Sequence, residues 1–382
     1  MVVKVGVLIP NISLGGASKV ALNQVKYLKK YGYEAKLLTL APAKAMEVDH
    51  SCIGLGKFLP VMKTSTSVLV NIAWGVCIKK VDVDAIVAHG IASILALKLE
   101  EKYDIEYVNY IHHPASFLHG KPIHGKEEEN ILGPLAKYPL KLLWSRNKLA
   151  EEDIRSIRAA KYNFTNSKRT LNNLLKIYGN IKADVCYPAI GDEFHIITPR
   201  LEDKRNYVLY ASRHVEQKGF HLLPIIFSKI DRNAKLILAG KPTSLTSKVF
   251  KEFKELSLAD RVIFRMNVGD QELIELYKKS KILLFPAMQE DFGLSPLEGM
   301  AAGCIPVSWN DGGGVVEIIQ DGKTGLLAKP YDIDDYAAKV NMLLRDDELY
   351  VHILNEAKKF SLIFSWDNHV KKIKEVIDTM MN

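Results

Sequence analysis

A repeated strand–helix pattern constrains the fold of this chain more than any other feature of its sequence. Val3–Ile9 is rich in β-branched residues and does not alternate between apolar and polar, which is typical of a strand buried on both faces. A helical pattern follows, Gly32 stands where a left-handed helix end is expected, and Glu34–Leu40 is a second strand pattern. Strands joined through a helix pair in parallel, so we predict an α/β sheet with helices on both faces.

The pattern starts again in the second half of the chain. Asp192–Asn206 contains Pro199 and a run of charged residues, a composition typical of a linker, and a new series of strands and helices begins at Tyr207. A length of 382 residues also suggests about two domains. We predict two α/β domains, at residues 1–195 and 196–362. Ligands of such sheets bind beyond the carboxyl ends of the strands, so we expect the site in a cleft between the domains.

Composition excludes several classes of protein. The chain is 48% hydrophobic and 25% charged, and its longest apolar runs are too short to span a membrane. The four cysteines are far apart and form no CxxC pair, which argues against disulfides or a zinc knuckle and for a reducing cytoplasm. Met1 leads directly into a strand pattern, so we expect no secretory signal. The net charge of +8 comes without a basic arm or a nucleic-acid motif, so we expect no nucleic-acid partner.

We find no pattern typical of a cofactor or a metal site. No GxGxxG motif follows the first strand, and Gly322–Thr324 resembles the end of a P-loop whose first glycine is missing. Four histidines cluster without helical spacing or nearby acidic ligands, which favours hydrogen bonding or exposure over metal binding. They are His112, His113, His119 and His124.

The most informative segment is Glu290–Glu298, which follows a strand and opens a helix. Ser295 and Glu298 have the spacing of a capping box, which would be a device for stability alone. The same helix start, with backbone amides at Gly293 and Leu294, also suits a diphosphate. The two interpretations are compatible, and this segment alone does not choose between them.

Two further loops have a similar double interpretation. Arg213 and Lys218 follow the first strand of the second series, where two cations can neutralise a diphosphate without a metal, although loop cations are usually solvated. Asp311–Gly314 is a second glycine-rich helix start, or simply a tight turn.

In this order, these segments resemble the group 1 retaining glycosyltransferases of GT-B fold, over nearly the whole chain. The matching positions are Gly15-Gly16, His112, Asn166-Ser167, Tyr187-Pro188, Ser212-Arg213, Lys218-Gly219, Glu290 and Glu298 in the family's E-x7-E spacing, Gly312-Gly313, Glu317, Asp321-Gly322, Thr324-Gly325-Leu326 and Phe364-Ser365-Trp366. The resemblance implies two Rossmann-like domains that face each other across a cleft. It also implies that a helix at 363–382 crosses back to the first domain.

The resemblance also implies roles for single residues. The catalytic positions would be Glu290, which would contact the sugar and stabilise positive charge near its anomeric carbon, and His112 on the opposite wall. Glu298 would hold the ribose. The other donor-binding positions would be Gly15, Gly16, Arg213, Lys218, Phe292, Gly293, Leu294 and Met266.

Two positions depart from the family's pattern. Arg265-Met266-Asn267 stands where relatives usually offer a glycine near the base, so the sequence leaves the base open. His113 stands where relatives are often acidic, and we prefer His112 as the histidine near the sugar.

The resemblance implies transfer of a hexose-type sugar, with retention, from a UDP-, GDP- or ADP-linked donor to a saccharide or lipid-linked acceptor, without cofactor or metal. The alternatives are a nucleotide-sugar epimerase of the same fold and a non-catalytic nucleotide-sugar binding protein. Leu135–Leu149 mixes basic and apolar residues, which would suit a helix at the inner face of a membrane. We favour the simpler interpretation, a core helix start with snorkelling lysines.

Overall fold

Two separate units make up the computed structural model. The first consists of Met1–Pro188 and Trp366–Asn382, and the second is Ala189–Ser365. The sequence predicted the divisions at 195/196 and 362/363. The structure describes residues 2–10, 15–39, 50–52, 80–119 and 139–381.

The first unit contains one parallel sheet. In the part of the chain that the structure describes, its strands have the order β3-β2-β1-β4-β5-β6-β7. Their bounds are Lys4–Ile9 (β1), Glu34–Thr39 (β2), His50–Cys52 (β3), Ala85–His89 (β4), Glu106–Ile111 (β5), Tyr162–Thr165 (β6) and Ala183–Val185 (β7). The two strand patterns of the sequence, Val3–Ile9 and Glu34–Leu40, are β1 and β2. Val5, Val7 and Leu8 of β1 are completely buried, as a strand covered on both faces requires.

Helices join these strands. Their bounds are Gly16–Lys30 (α1), Ser93–Tyr103 (α2), Pro139–Ala159 (α3), Lys168–Tyr178 (α4) and, at the end of the chain, Trp366–Met381 (α12). The apolar residues of α1 are buried at helical spacing, and Gly32 after it has the predicted positive φ, at 88°. The last helix belongs to the first unit, although it follows the second unit in the sequence.

The second unit repeats this plan. Its parallel sheet has the order β10-β9-β8-β11-β12-β13 among the described residues. The strands are Arg205–Ala211 (β8), Lys235–Gly240 (β9), Val262–Met266 (β10), Ser280–Phe285 (β11), Ile305–Trp309 (β12) and Leu326–Ala328 (β13). The helices are Asp192–His195 (α5), Leu223–Ser228 (α6), Ser244–Glu255 (α7), Asp270–Lys279 (α8), Leu294–Ala301 (α9), Ile333–Arg345 (α10) and Asp347–Ser361 (α11).

The segment Asp192–Asn206 is not the linker that its composition suggested. Phe194 is buried and its ring lies 6.0 Å from that of Tyr277. The ammonium group of Lys204 donates to two backbone carbonyls, those of Ala302 at 2.7 Å and Tyr277 at 3.2 Å. Burial lowers the pKa of Lys204 to about 8. The charges that suggested a solvated hinge therefore include one that holds this segment onto the second unit.

Each sheet reverses its strand order at one point, between β1 and β4 in the first unit and between β8 and β11 in the second. At such a point the loops at the carboxyl ends of the two strands turn in opposite directions and leave room for a ligand. In the second unit these are the loops that contain Arg213 and Glu290. In the first unit, the loop after β1 contains Gly15, and β4 ends at His89.

No helix among the described residues is long and apolar enough to cross a membrane. The segment Leu135–Leu149, a candidate for membrane contact, falls mostly outside the described side chains.

A buried tyrosine joins two neighbouring strands of the second unit, β11 and β12. The Tyr336 hydroxyl accepts from the Phe285 amide at 2.9 Å and donates to the Val307 carbonyl at 2.5 Å. We expect Tyr336→Phe to lower the free energy of unfolding by about 1–3 kcal/mol, because it leaves two buried backbone groups unpaired. Urea unfolding measures this loss. Tyr207→Phe, which removes a half-exposed hydroxyl from the same unit, should change stability by less than about 0.5 kcal/mol. Equal effects would contradict this assignment.

Candidate active site

The loops after β8 and β11 touch each other at the carboxyl edge of the second sheet. Met288 donates its amide to the Gln217 carbonyl at 3.1 Å. Gly219 has φ 68°, and a Cβ on it would lie 2.1 Å from the Pro286 carbonyl oxygen. Only glycine suits both the conformation and the contact. This close approach places Lys218 beside the loop that contains Glu290.

Lys218 and Glu290 form an ion pair between the ammonium group and Oε2 of the carboxylate. Each side chain is 17% exposed, so the pair is mostly shielded from water. The sequence assigned these residues separate roles, toward the diphosphate and toward the sugar. The structure brings the two groups into direct contact, which the sequence did not predict.

The backbone of Glu290 is fixed by the glycine-rich turn that follows β12. Its carbonyl accepts from the Gly314 amide at 2.5 Å, and a Cβ on Gly313 would lie 3.0 Å from both its N and O atoms. The Asp311 carboxylate accepts from the amides of Gly313, at 2.9 Å, and Gln289, at 2.6 Å. Gln289 has a positive φ of 47°, which is uncommon without glycine. The turn therefore positions Glu290.

The capping box predicted for Ser295 and Glu298 is wrong. The helix α9 begins at Leu294, and its N-cap is Gly293, which makes no side-chain cap. The Ser295 hydroxyl instead donates to the Ala211 carbonyl at 3.0 Å. Glu298 is buried and accepts from the Tyr277 hydroxyl at 3.0 Å. Since glycine has no side chain, no N-cap group occupies the first-turn amides, and the helix start suits an anion.

The remaining residues of the second unit that were predicted to bind the sugar donor differ in exposure. The Arg213 side chain is exposed, while the Tyr210 hydroxyl donates to its carbonyl at 2.8 Å. The Phe292 ring is buried and lies 5.9 Å from that of Phe364. Its side chain therefore belongs to the core, and only its backbone lies beside Gly293.

Met266 lies in β10, where it pairs with Gly240. Arg265 and Met266 are therefore strand residues, whereas the resemblance led us to expect them in the loop after the strand. Asn267 is the first residue of the loop and has φ 54°. Asparagine adopts this left-handed region more readily than most residues. Asn267 therefore has the backbone conformation that would suit the glycine expected at this position from the resemblance.

In the first unit, Gly15 and Gly16 are exposed; Gly15 is the N-cap of α1 and Gly16 is its first residue. His112 is half-buried just after β5, whereas His113 is exposed. The Nε2 atom of His112 lies 3.0 Å from Nδ1 of His89, a buried residue at the end of β4. The sequence analysis did not single out His89, although its place at a strand's carboxyl end is a signal that could have found it.

The histidine cluster does not form a metal centre in the part of the chain that the structure describes. No group of three or more histidines, cysteines or acidic residues there could hold an ion. His119 instead lies 2.8 Å from the Asp153 carboxylate. His124 lies outside the described residues.

The sequence profile of the family described as Glycosyl transferases group 1 matches residues 192–360. Those residues contain the Lys218–Glu290 pair, the turn behind it and Glu298. This segment therefore matches the group 1 glycosyltransferase family. The assignment agrees with the ordered motifs of the sequence.

Solved structures show the fold of this chain. Anabaena Alr3699/HepE, in complex with UDP and glucose, is 17% identical, and the match has a TM-score of 0.76 and covers 99% of this chain and 100% of that one. Sucrose-phosphate synthase from Thermosynechococcus elongatus is 15% identical, with a TM-score of 0.78 and 99% of each chain covered. The fold is GT-B, with two Rossmann-like domains, as the sequence predicted.

Curated relatives are also glycosyltransferases. An uncharacterised glycosyltransferase of Methanocaldococcus jannaschii is 32% identical over 184 residues, 47% of this chain and 47% of the relative. D-inositol 3-phosphate glycosyltransferase of Acidothermus cellulolyticus is 32% identical over 143 residues, 36% of this chain and 32% of the relative. The chain spans about half the length, or less, of the curated relatives it matches.

We expect Gly313→Ala to impair any sugar transfer by this chain more than nucleotide binding. The added Cβ would press on the backbone of Glu290, although the φ of −64° at Gly313 is allowed for alanine. A 1 Å displacement of a reacting group can cost about a hundredfold in rate. Gly269→Ala is the control, because nothing lies within 4 Å of its added Cβ. Turnover and calorimetric titration with nucleoside diphosphate separate the two effects, and an unchanged turnover would contradict the positioning role.

A buried histidine in the loop after β8 should make the stability of the second unit sensitive to acid. His214 stacks on Phe220 with ring centroids 3.9 Å apart, and burial lowers its pKa to about 4. Between pH 6.5 and pH 4 the unfolded chain binds a proton at this position and the folded chain does not, so stability falls as the pH falls.

We therefore expect His214→Asn to reduce the pH dependence of the free energy of unfolding by about 1.4 kcal/mol per pH unit in this range. Urea unfolding at pH 7, 6 and 5 measures it. His352→Gln, at an exposed position of α11, serves as the control and should keep the wild-type slope. A wild-type slope in His214→Asn would show that this residue is not the source.

Proposed function

We propose that the chain is a retaining glycosyltransferase that moves a hexose-type sugar from a nucleoside diphosphate-sugar to a saccharide or lipid-linked acceptor, without a metal. The observation that carries this proposal is the meeting of Lys218 and Glu290 at the strand-order reversal of the second sheet. A cation and a carboxylate at one edge suit the two charges of the reaction, negative on the leaving diphosphate and positive at the anomeric carbon.

The donor's diphosphate binds Arg213 and Lys218 together with the amides of Gly293 and Leu294. The cations supply the charge that a metal would otherwise supply, and the helix start adds backbone N–H donors. Glu298, held by the Tyr277 hydroxyl, binds the ribose. HepE, a structural neighbour of the same fold, was solved with UDP-glucose, which supports this class of donor.

In the reaction, the bond between the anomeric carbon and the phosphate oxygen breaks, and a bond to the acceptor oxygen forms on the same face. The acceptor's proton passes to the leaving diphosphate, so the chain needs no carboxylate as a base. Arg213 and Lys218 stabilise the diphosphate as it gains negative charge. Glu290 stabilises the positive charge at the anomeric carbon, and His112 hydrogen-bonds the sugar.

Some parts of the proposal rest on the sequence alone. Gly15, Gly16 and Met266 are donor contacts that the resemblance implies. A cytoplasmic location stays a prediction, and contact with the inner face of a membrane stays the less favoured alternative. Liposome co-sedimentation at low and high salt tests the membrane contact.

The first test is donor binding in the presence of EDTA. Thermal-shift and calorimetric titrations with UDP, GDP, ADP, UDP-glucose, GDP-mannose and ADP-glucose should give one preferred nucleotide whose affinity does not depend on metal. Loss of binding in EDTA would refute metal independence. Interconversion of the donor sugar without an acceptor would favour the epimerase alternative, and binding without turnover would favour a binding protein.

The second test separates the two members of the ion pair. We expect Glu290→Gln to lower transfer at least about a hundredfold while nucleotide affinity stays within about threefold, because its charge acts in the transition state. The double variant Arg213→Ala with Lys218→Ala should lose at least about tenfold in affinity for the nucleoside diphosphate. Initial rates and calorimetry measure both effects.

A charge-matched control accompanies that double variant. Lys248→Ala with Lys251→Ala removes two exposed cations from α7 and should leave the nucleotide affinity unchanged. A similar loss in this control would mean that net charge, and not the site, governs affinity. Wild-type turnover in Glu290→Gln would remove Glu290 from the mechanism.

A further inference from the structure

A buried series of hydrogen bonds in the first unit connects His112 to a backbone carbonyl. His112 Nε2 lies 3.0 Å from His89 Nδ1, and His89 Nε2 lies 2.7 Å from Gln24 Oε1. Gln24 Nε2 lies 2.9 Å from His369 Nε2, and His369 Nδ1 lies 2.8 Å from the Tyr187 carbonyl oxygen. The three inner members come from α1, the end of β4 and α12.

These inner side chains are sealed from solvent. Gln24 is 0% exposed, and His89 and His369 are each 2% exposed. Tyr110 lies between the rings, with its centroid 5.4 Å from that of His89 and 5.2 Å from that of His369. A buried polar group without a partner costs about 1–3 kcal/mol, so each donor in this series must face an acceptor.

The Tyr187 carbonyl fixes the direction of every bond. A carbonyl can only accept, so His369 must carry a proton on Nδ1. Burial lowers the pKa of His369 to about 4, so its ring is neutral near pH 7 and its Nε2 is an acceptor. Gln24 therefore turns its NH2 group toward His369 and its oxygen toward His89.

The same logic continues to His112. The Gln24 oxygen accepts, so His89 must carry its proton on Nε2. Burial lowers the pKa of His89 well below its usual value, so this ring is also neutral and its Nδ1 is an acceptor. His112 must therefore donate through Nε2–H. When His112 is neutral, its lone pair is then on Nδ1.

A buried thiol supports the assignment at the other end. The Sγ atom of Cys186 lies 3.4 Å from the His369 carbonyl oxygen and 3.4 Å from its Nδ1 atom. Burial raises the pKa of this thiol, so it stays protonated and donates to the carbonyl. Its lone pairs then face the Nδ1–H group that the Tyr187 carbonyl also requires.

The opposite direction is unfavourable. If the Gln24 oxygen faced His369, that ring would need protons on both nitrogens and would be a cation without exposure to water. The NH2 group of Gln24 would then face His89, which would have to accept through Nε2 and donate through Nδ1. Burial of an unpaired charge makes a doubly protonated His369 unfavourable.

We propose that Gln24, His89 and His369 are positioning residues that hold His112 in its Nε2–H tautomer, so that Nδ1 accepts a hydrogen bond from a hydroxyl of the transferred sugar. The role of His112 toward the sugar rests on the proposed function. The tautomer itself does not, because it follows from the bonds of the first unit alone.

The decisive experiment observes the tautomers directly in the full chain. Long-range proton–nitrogen NMR of protein labelled with 15N-histidine distinguishes Nδ1–H, Nε2–H and charged rings, and single histidine variants assign the signals. At pH 7.5 we expect Nε2–H signals for His89 and His112 and an Nδ1–H signal for His369. His89 and His369 should not titrate between pH 8 and pH 5.5. An Nδ1–H signal for His89 or His112, or a charged His369 at pH 7.5, would overturn the proposal.

A variant tests whether Gln24 sets the donor–acceptor direction of the hydrogen bonds at His89 and His112. Gln24→Leu removes the acceptor that fixes His89, so His89 can move its proton to Nδ1 and His112 can invert. We expect the His112 signals to change to a mixture of tautomers. Ser156→Ala is the control, because its buried hydroxyl bonds to Ser93 at 2.9 Å in the same unit but outside this series. It should keep the wild-type tautomers, and an unchanged His112 in Gln24→Leu would count against the positioning role.

Kinetics separates this inference from the proposed function. With UDP-glucose, GDP-mannose and ADP-glucose as donors, we expect Gln24→Leu to lower kcat at least about tenfold with little change in KM, as an altered catalytic histidine tautomer does elsewhere. Predicted tautomers with an unchanged kcat would refute the positioning role and leave the transferase intact. If the wild type turned over none of these donors, the proposed function would be at fault, and the NMR result would still decide the tautomer.

Discussion

The close approach of the β8 and β11 loops at the strand-order reversal of the second sheet is the constraint on which the candidate site depends. A parallel sheet brings these two carboxyl ends together, but only a glycine at position 219 lets the chain pass within contact of the Pro286 carbonyl. That passage places Lys218 against Glu290. A side chain at position 219 would separate the loops before any ligand bound.

The carboxylate of this pair is held from a second direction as well. Asp311 and the Gly314 amide fix the backbone on both sides of Glu290, and the uncommon φ of Gln289 shows that this loop conformation is imposed by its surroundings. Behind it, the Ser308 hydroxyl and the Trp309 indole donate to the carbonyls at the end of β11. A charged group that must meet a developing charge at a defined distance needs such support, because its electrostatic benefit depends on its not having to reorganise.

The sequence predicted what local patterns determine, and it failed where distant groups compete. Val3–Ile9 and Glu34–Leu40 were each predicted to within one residue of the observed strands, because a run of apolar residues is a local property. The capping box failed because Ala211 and Tyr277, both remote in sequence, bind the two side chains that would have formed it. The linker prediction failed because its charges alone do not show that the Lys204 ammonium group donates to two carbonyls of the second unit. The motif residues around Glu290 could be named from the resemblance, but their mutual contacts could not.

The histidine series shows why such contacts are hard to predict and why they are informative. Gln24 lies 65 residues from His89 and 345 from His369, so no sequence spacing relates them, and each alone would be taken for an ordinary core residue. Once they are side by side, however, the number of arrangements is small, since each ring and the amide have one donor and one acceptor facing the next group. One carbonyl then determines the proton positions of three side chains and of His112. A core that only needed polar satisfaction could use any closed set of hydrogen bonds. This series ends at the half-buried His112, beside the ligand-binding edge of the sheet. It therefore also fixes the donor and acceptor atoms of a group that a substrate can reach.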